Sequence, residues 1–362
     1  MALVLGGGGM KGFAHIGVLR ALEERGIRPA VLAGTSIGAL IAAAAVGGMS
    51  PDELARRAES LRRRDLFRIN HLGMLMERMR SPSIYLGEPL RSMVDEVAPE
   101  GTFADLRTPL LVNTVDLQRA TRVVWGLPGL RDVSVRDAVY ASCALPGFFP
   151  PAVVGGRLCV DGGVIDNLPV AAAGLGMDLV IAVDVGSSDV QPIPRIGSQG
   201  FAAIYMRSAT TMMHNLQDQP LRSWSGPPML LVRPKVDSHW LSFLNAEQNI
   251  REGYRATTRA LEHFEAYVEQ PSGVYPRKRM QLHVVRESCV KCGLCVALAP
   301  ETMALDPADG TAVPRQPIVE WSAADGDFVH HCPTRAIKAA RLDLVTPGGA
   351  DDGVDREDLL LP

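Results

Sequence analysis

Ser36 stands between two glycines in Gly34-Thr35-Ser36-Ile37-Gly38, a G-x-S-x-G arrangement. Small neighbours let a chain bend sharply from strand into helix and leave a serine hydroxyl exposed at the bend. Gly6-Gly7-Gly8-Gly9 lies earlier, just ahead of a helical stretch. The N–H groups of such a loop make a ready site for an oxyanion or a phosphate. Asp161 follows the apolar stretch Leu158-Cys159-Val160 and precedes Gly162-Gly163, which puts its carboxylate at a strand end before a turn. A nucleophile, N–H donors and a nearby base are what acyl transfer needs.

Each stretch also has a plainer reading. Asp-Gly-Gly can be no more than a tight turn. Gly7-x-Gly9-x-x-Gly12 also fits the dinucleotide fingerprint, which would make the chain a nucleotide-binding oxidoreductase. That fingerprint expects an acid at the end of the second strand, where Gly34-Thr35-Ser36 stands instead. A Walker loop needs Ser or Thr after Lys11, and Gly12 is there. His15, His214 and His239 fit no triad by spacing. His15, on the helix after the glycine loop, reads as a core or helix-surface residue.

A second cluster of chemistry lies near the C-terminal end. Cys289-x-x-Cys292-x-x-Cys295 puts three thiols within seven residues, and Cys332-Pro333 supplies a fourth. Structural zinc sites usually use two separated cysteine pairs around a tetrahedral ion. Three thiolates at this spacing wrap one corner of a cubane iron–sulfur cluster better, with Cys332 closing it. The Cys-Pro follows the third cysteine after 36 residues and not after three, so one cluster is expected and not two. Cys143 and Cys159 read as small buried hydrophobes. This cysteine usage points to a reducing compartment, most simply the cytoplasm.

The elements that must position these groups follow from periodicity. Ala2 to Leu5 is a short apolar strand, Lys11 to Arg25 has helical spacing, Ala30 to Ala33 is a second strand, and a helix follows Gly38. Strand–helix–strand–helix predicts a parallel sheet covered by helices, with both glycine turns on one sheet edge. Leu110 to Val115, Arg122 to Trp125, Val153-Val154 and Leu179 to Val185 read as later strands. Gln248 to Glu269 reads as one long helix, stopped by Pro271-Ser272-Gly273. Apolar residues make up 47% and charged residues 21% of 362, the balance of a globular protein. A net charge of -3 argues against nucleic-acid binding. Met1 to Leu5 lacks the basic start of a signal peptide, and Ile37 to Met49 is too short to span a bilayer. Arg56 to Arg91 holds nine arginines among apolar residues. It can pack on the core or lie against a membrane interface.

Taken together, Gly7-Gly8-Gly9-Met10-Lys11-Gly12, Gly34-Thr35-Ser36-Ile37-Gly38, Asp161-Gly162-Gly163 with Asp166-Asn167-Leu168-Pro169, and the block from Ala141 to Pro151 resemble the motifs of patatin-like phospholipases. The resemblance covers about residues 1 to 270. It implies an α/β three-layer sandwich with a mostly parallel central sheet. It implies Ser36 as nucleophile and Asp161 as base in a Ser–Asp dyad. It implies Gly7, Gly8 and Gly9 as oxyanion donors, Lys11 as support for that loop, and a lipid or other carboxylic ester as substrate. The cysteine segment resembles single-cluster bacterial ferredoxins in Gly293-Leu294-Cys295, Ala299-Pro300-Glu301 and Cys332 to Ile337. That implies a small α+β domain holding one [4Fe-4S] cluster on Cys289, Cys292, Cys295 and Cys332. A Cys at 292, where some relatives have Asp, favours [4Fe-4S] over [3Fe-4S]. The expected domains are 1–275 for the hydrolase, 276–345 for the ferredoxin-like part and 346–362 for an acidic tail. An electron-transfer partner, redox control and peripheral membrane contact are expectations of the same reading. A non-catalytic redox or docking protein on a hydrolase fold is the third reading.

Overall fold

The structure is a computed structural model and describes residues 1–70, 83–186, 195–236, 242–322 and 324–342. The apolar middle of the arginine-rich segment, His239 and the acidic tail lie outside the described residues. The chain divides into two compact units, the first formed by residues 1–220 and 225–273, the second by 221–224 and 274 onward.

In the first unit eight strands form one sheet: β1 (Ala2–Leu5), β2 (Val31–Thr35), β3 (Leu110–Asp116), β4 (Thr121–Trp125), β5 (Ala152–Val154), β6 (Arg157–Asp161), β7 (Val180–Val183) and β8 (Met229–Val232). The spatial order is β5-β6-β3-β2-β1-β7-β8, with β4 on β3. The centre, β3-β2-β1-β7-β8, is parallel. β4 and β6 run antiparallel to β3, and β5 antiparallel to β6. The sheet is therefore mixed, parallel through its five central strands and antiparallel where β4, β6 and β5 join on one side. β3 and β4 are joined by a tight turn, as are β5 and β6, and such short connections force antiparallel pairing. β1, β2, β7 and β8 are buried along their whole length, as continuous apolar runs covered on both faces should be.

The register of β3 has a direct consequence for the site. β4 pairs along residues 112–116 and so takes up one edge of β3. On the other edge β2 pairs along 110–113 and β6 follows along 114–116. Thr35 lies opposite Asn113, and Asp161 lies opposite Thr114. The last residue of β2 and the last residue of β6 thus meet end to end.

The helices nearest the site start at the sheet's carboxyl ends. A 3-10 turn (Gly9–Phe13) leads into α1 (Ala14–Glu24), and Ser36 leads into α2 (Ile37–Val46). α3 (Pro51–Ser60) is capped by the Ser50 side chain, which accepts the Glu53 N–H at 3.2 Å. The expected long helix is Ala246–Ala260, then a 3-10 turn (Leu261–His263) and a short helix (Phe264–Val268). It crosses α1 closely enough that a Cβ on Gly253 would strike the Ala14 carbonyl, and one on Gly17 the Ile250 carbonyl. No helix among the described residues is long and apolar enough to cross a membrane.

The second unit is a small α+β body. Lys278–Val284 is the middle strand of an antiparallel sheet, flanked by Ile318–Trp321 and Ile337–Arg341. A hairpin (Met303–Leu305 with Ala312–Pro314) and a short helix (Leu294–Leu298) complete it. Its core gathers Met280, Leu282, Met303, Trp321, Phe328 and Ile337, with Cys295 buried among them.

Candidate active site

Ser36 sits at the bend between β2 and α2 with φ 55° and ψ −128°. A serine at positive φ is strained and persists only where its surroundings hold it. The flanking glycines leave room for the bend. A Cβ on Gly34 would lie 2.5 Å from Ala39 N, and one on Gly38 would strike the Leu5 carbonyl. Two hydrogen bonds then fix the bend from outside: the Ser36 N–H donates to Ser142 Oγ at 2.9 Å, and the Ser142 hydroxyl donates to the Asn113 carbonyl at 2.7 Å.

The glycine loop lies against this serine, close enough that a Cβ on Gly7 would be 3.2 Å from Ser36 Cβ. Asn167 clamps the loop on both sides. Its carbonyl accepts the Gly7 N–H at 3.1 Å, and its side-chain amide donates to the Gly7 carbonyl at 3.0 Å. Gly7's N–H is thus already committed, which departs from the expectation that it donates to an oxyanion. The N–H groups of Gly8 and Gly9 open the 3-10 turn, where the helical pattern supplies no acceptor. Gly9 is held at φ 57°. Behind the loop Lys11 is buried, and Asn249 Nδ2 donates to the Met10 carbonyl at 3.2 Å.

His15, read from sequence as a core or surface residue, is fully buried beneath this loop, its Nε2 2.8 Å from the Gly6 carbonyl. A carbonyl only accepts, so Nε2 carries the proton. Nδ1 has no partner among the described residues. Burial lowers the His15 pKa to about 4, against the opposing pull of the Gly6 bond and of Asp184. The ring is neutral at pH 7 and acts as a fixed strut.

Asp161 completes the geometry. Its carboxylate accepts the Gly163 N–H at 2.8 Å, and the Ser36 side chain lies close enough to lower its pKa. Burial raises its pKa to about 6, while the Gly163 bond and the nearby Ser36 hold it lower than burial alone would. The chain after it is tied down in turn. The Asp166 carbonyl accepts from Asn113 Nδ2 at 2.6 Å and from Thr35 Oγ1 at 3.3 Å, and its carboxylate pairs with Arg122.

Ser36, Asp161 and the glycine loop open on one cavity of about 380 Å³. Its walls are mainly apolar: Leu40, Leu66, Phe67, Met93, Leu145 and Phe149 among others. Phe67 packs edge-on against Tyr85 at 4.9 Å between centroids, and lies 5.6 Å from Phe149. Cys143 also lines the cavity, but burial, aided by the Asp161 charge, raises its thiol well above the ordinary range. A protonated thiol is no rival nucleophile.

Cys159 is buried in β6, and the other four thiols belong to the second unit. Cys295 is buried in its core, Cys289 and Cys332 pack against that core, and Cys292 is exposed. Cys289 and Cys292 are near enough to Cys295 for their charges to act on it. The loop between them turns through Lys291 at φ 58° and Gly293 at φ 74°. At Cys332 burial opposes the thiolate, but hydrogen bonds from Thr334, Ala336 and Ile337 prevail and lower its pKa. Amide donors aimed at a sulfur suit a thiolate ligand of an iron–sulfur cluster, so the donor chemistry fits. Among the described residues, no three His, Cys, Asp or Glu side chains stand as a closed metal-holding set.

The site thus gathers a strained serine, a buried carboxylate and a glycine loop on an α/β fold, and the comparisons with known proteins agree with that fold class. Residues 3–173 match the family model for patatin-like phospholipase, and that segment is a patatin-like phospholipase domain. An uncharacterized NTE family protein of Mycobacterium tuberculosis is 37% identical over 53% of this chain and 51% of its own length. Lysophospholipase NTE1 of Mycosarcoma maydis is 37% identical over 52% of this chain and 10% of its own. Human patatin-like phospholipase domain-containing protein 6 is 34% identical over 54% and 14%. The chain thus spans about half the length of the mycobacterial relative and a smaller share of the other two.

Ser142, Asn113 and Asn167 carry no role on sequence reading, although Ser142 and Asn167 fall inside the quoted motifs. Their work is to hold backbone at positions far away in the chain, and no local spacing reports that. The signal for Asn113 is a polar residue within the apolar run of β3, buried and so in need of partners.

Proposed function

We propose that the chain is a lipid acyl hydrolase using Ser36 and Asp161. The observation that carries this is that Ser36, the buried carboxylate of Asp161 and the Gly8 and Gly9 backbone line one apolar cavity, with the Ser36 side chain near enough to Asp161 to lower its pKa. Asp161 takes the hydroxyl proton as Ser36 Oγ attacks the ester carbonyl. The developing oxyanion is met by Gly8 and Gly9 N–H, with Gly7, His15 and Lys11 keeping the loop in place. Collapse passes that proton from Asp161 to the leaving alkoxide, which departs as the alcohol and leaves an acyl-serine. Asp161 then activates water, which frees the fatty acid and restores Ser36. The cavity lining suits an acyl chain, and the Mycosarcoma relative, a lysophospholipase, points the same way. Peripheral contact with a lipid surface belongs to this reading.

The same proposal takes Cys289, Cys292, Cys295 and Cys332 as ligands of one [4Fe-4S] cluster in a ferredoxin-like second unit. When bound it would supply one-electron redox chemistry. Ester hydrolysis moves no electrons, so its place is redox control or docking of an electron-transfer partner. The nucleotide-binding alternative is weakened by Ser36, which lies where the loop would receive a pyrophosphate.

A fluorophosphonate probe tests the core of this reading. It should label the wild type and fail on Ser36→Ala, and purified wild type, unlike Ser36→Ala and Asp161→Asn, should release fatty acid from phospholipid or lysophospholipid. Labelling that persists in Ser36→Ala rejects the assignment.

A further inference from the structure

The rim of the cavity is built in a way that hydrolysis of a soluble ester does not require. Helix Phe201–Arg222 brings Tyr205, Ala209, Met212 and Leu216 to the cavity, at steps of four, three and four residues that keep one stripe of a helix. A stripe that served only the core would be buried. Instead Tyr205 is 51%, Met212 60% and Leu216 45% exposed, with Ile204 beside them at 45%. Lone exposed apolar side chains are ordinary, but a continuous set around an apolar opening marks a contact surface.

A second part of the wall carries positive charge. Leu66 and Phe67 line the cavity, and Arg62, Arg63, Arg64 and Arg68 around them are all exposed. The Arg64 side chain is 89% exposed and only 3.9 Å from Asp65. Arg62 and Arg68 donate to backbone carbonyls of Glu59 and Arg64. The guanidinium groups of Arg62, Arg63 and Arg68 have no carboxylate partner among the described residues. Ile69, next in the chain, is 47% exposed.

We propose that this rim, apolar on helix Phe201–Arg222 and arginine-rich at Arg62–Arg68, docks on the surface of an anionic lipid bilayer. Guanidinium groups pair with lipid phosphates, and the apolar stripe enters the acyl boundary. An acidic protein would satisfy the arginines but would leave an open hydrocarbon-lined cavity facing water. A bilayer satisfies both and presents the acyl chain directly to Ser36. The proposal takes from the hydrolase reading only this direction of substrate entry.

The test is sedimentation of the full chain carrying Ser36→Ala with vesicles of phosphatidylcholine, with and without phosphatidylglycerol. Binding should require phosphatidylglycerol and fall as salt is raised. Adding Arg63→Ala, Arg64→Ala and Arg68→Ala together should weaken it about 10²-fold. With Ser36 restored, that triple variant should turn over a soluble short-chain ester like the wild type. Equal binding to both vesicle types, insensitivity to salt, or a triple variant that binds as tightly as its parent would overturn the proposal. The salt and lipid arms need no variant to fold. A failed hydrolase reading would leave vesicle binding intact, and a failed docking surface would leave soluble-ester turnover intact.

Discussion

Ser142 Oγ accepts the backbone N–H of Ser36 at 2.9 Å and spends its own proton on the Asn113 carbonyl at 2.7 Å. The strained bend at Ser36 is thus pinned by a helix residue and a strand residue, neither belonging to the G-x-S-x-G stretch. Replacing Ser142 by Ala leaves a part-buried N–H without its acceptor, a loss of about 1–3 kcal/mol. Small displacement of a nucleophile costs about 10² in rate. Ser142→Ala should therefore lower kcat by about that factor with KM little changed, measured on a soluble ester. Wild-type kcat would show that the bend holds without it.

The Asp161 pKa of about 6 sets a pH dependence. The base must be ionised to accept the Ser36 proton. Activity should rise with pH through about 6 and level off above, and kcat/KM of the free enzyme reports that ionisation. A profile flat down to pH 4 would mean that another group is the base.

The same carboxylate should be visible in stability. Its pKa is 3.8 unfolded and about 6 folded, so the native state binds the extra proton between those values. Its contribution is fully present below pH 3.8 and lost as pH rises through about 6, about 3 kcal/mol in total. His15 works in the opposite sense. Its pKa falls from 6.5 to about 4, so its contribution is present above pH 6.5 and lost as pH falls through about 4. The two offset each other in the wild type. Asp161→Asn removes one of them, and its denaturant-measured stability should fall more steeply than wild type between pH 6.5 and 4. Parallel curves for the two proteins would contradict this.

Gly8 separates donor from scaffold. In the proposed mechanism its N–H meets the oxyanion, and a Cβ there would lie 2.7 Å from Val185 Cγ2 and shift the loop. Gly8→Ala should cost about 10²–10³ in kcat, because the lost interaction forms only in the transition state. A change confined to KM would assign the loop to ground-state binding.

For the second unit, anaerobically prepared protein should show the broad visible absorption of a cubane cluster. Cys292→Ser or iron chelation should bleach it and loosen that unit, since its core is small and ligation supplies stability. Soluble-ester turnover should survive. Loss of turnover while the first unit remains folded would make the cluster part of the hydrolytic site.

Much of the site was readable in the chain because its chemistry is local in sequence. Ser36 and its flanking glycines are one turn, the glycine loop is another, and the apolar runs of β1, β2 and β7 fix their place at the sheet centre. What could not be read was long-range: Asn167 reaching Gly7 across 160 positions, Ser142 reaching Ser36 across 106, and His15 bonding a carbonyl below the loop. A helical histidine with helical spacing gives no hint that its surroundings leave it neutral. The antiparallel side of the sheet could not be read because β3, β4, β5 and β6 are individually ordinary strands, and direction is set by the short turns between β3 and β4 and between β5 and β6.

The shared edge of β3 makes that strand a ruler for catalysis. Side chains alternate faces along a strand, so a one-residue slip of β6 or β2 would turn Asp161 or Thr35 away from the other. Ser36 and Asp161 are not brought together until strands drawn from residues 31–35, 110–116 and 157–161 have all found register. During refolding, ester turnover should appear last and all at once, after helical signal has returned, as a readout of completed strand registration and not of collapse.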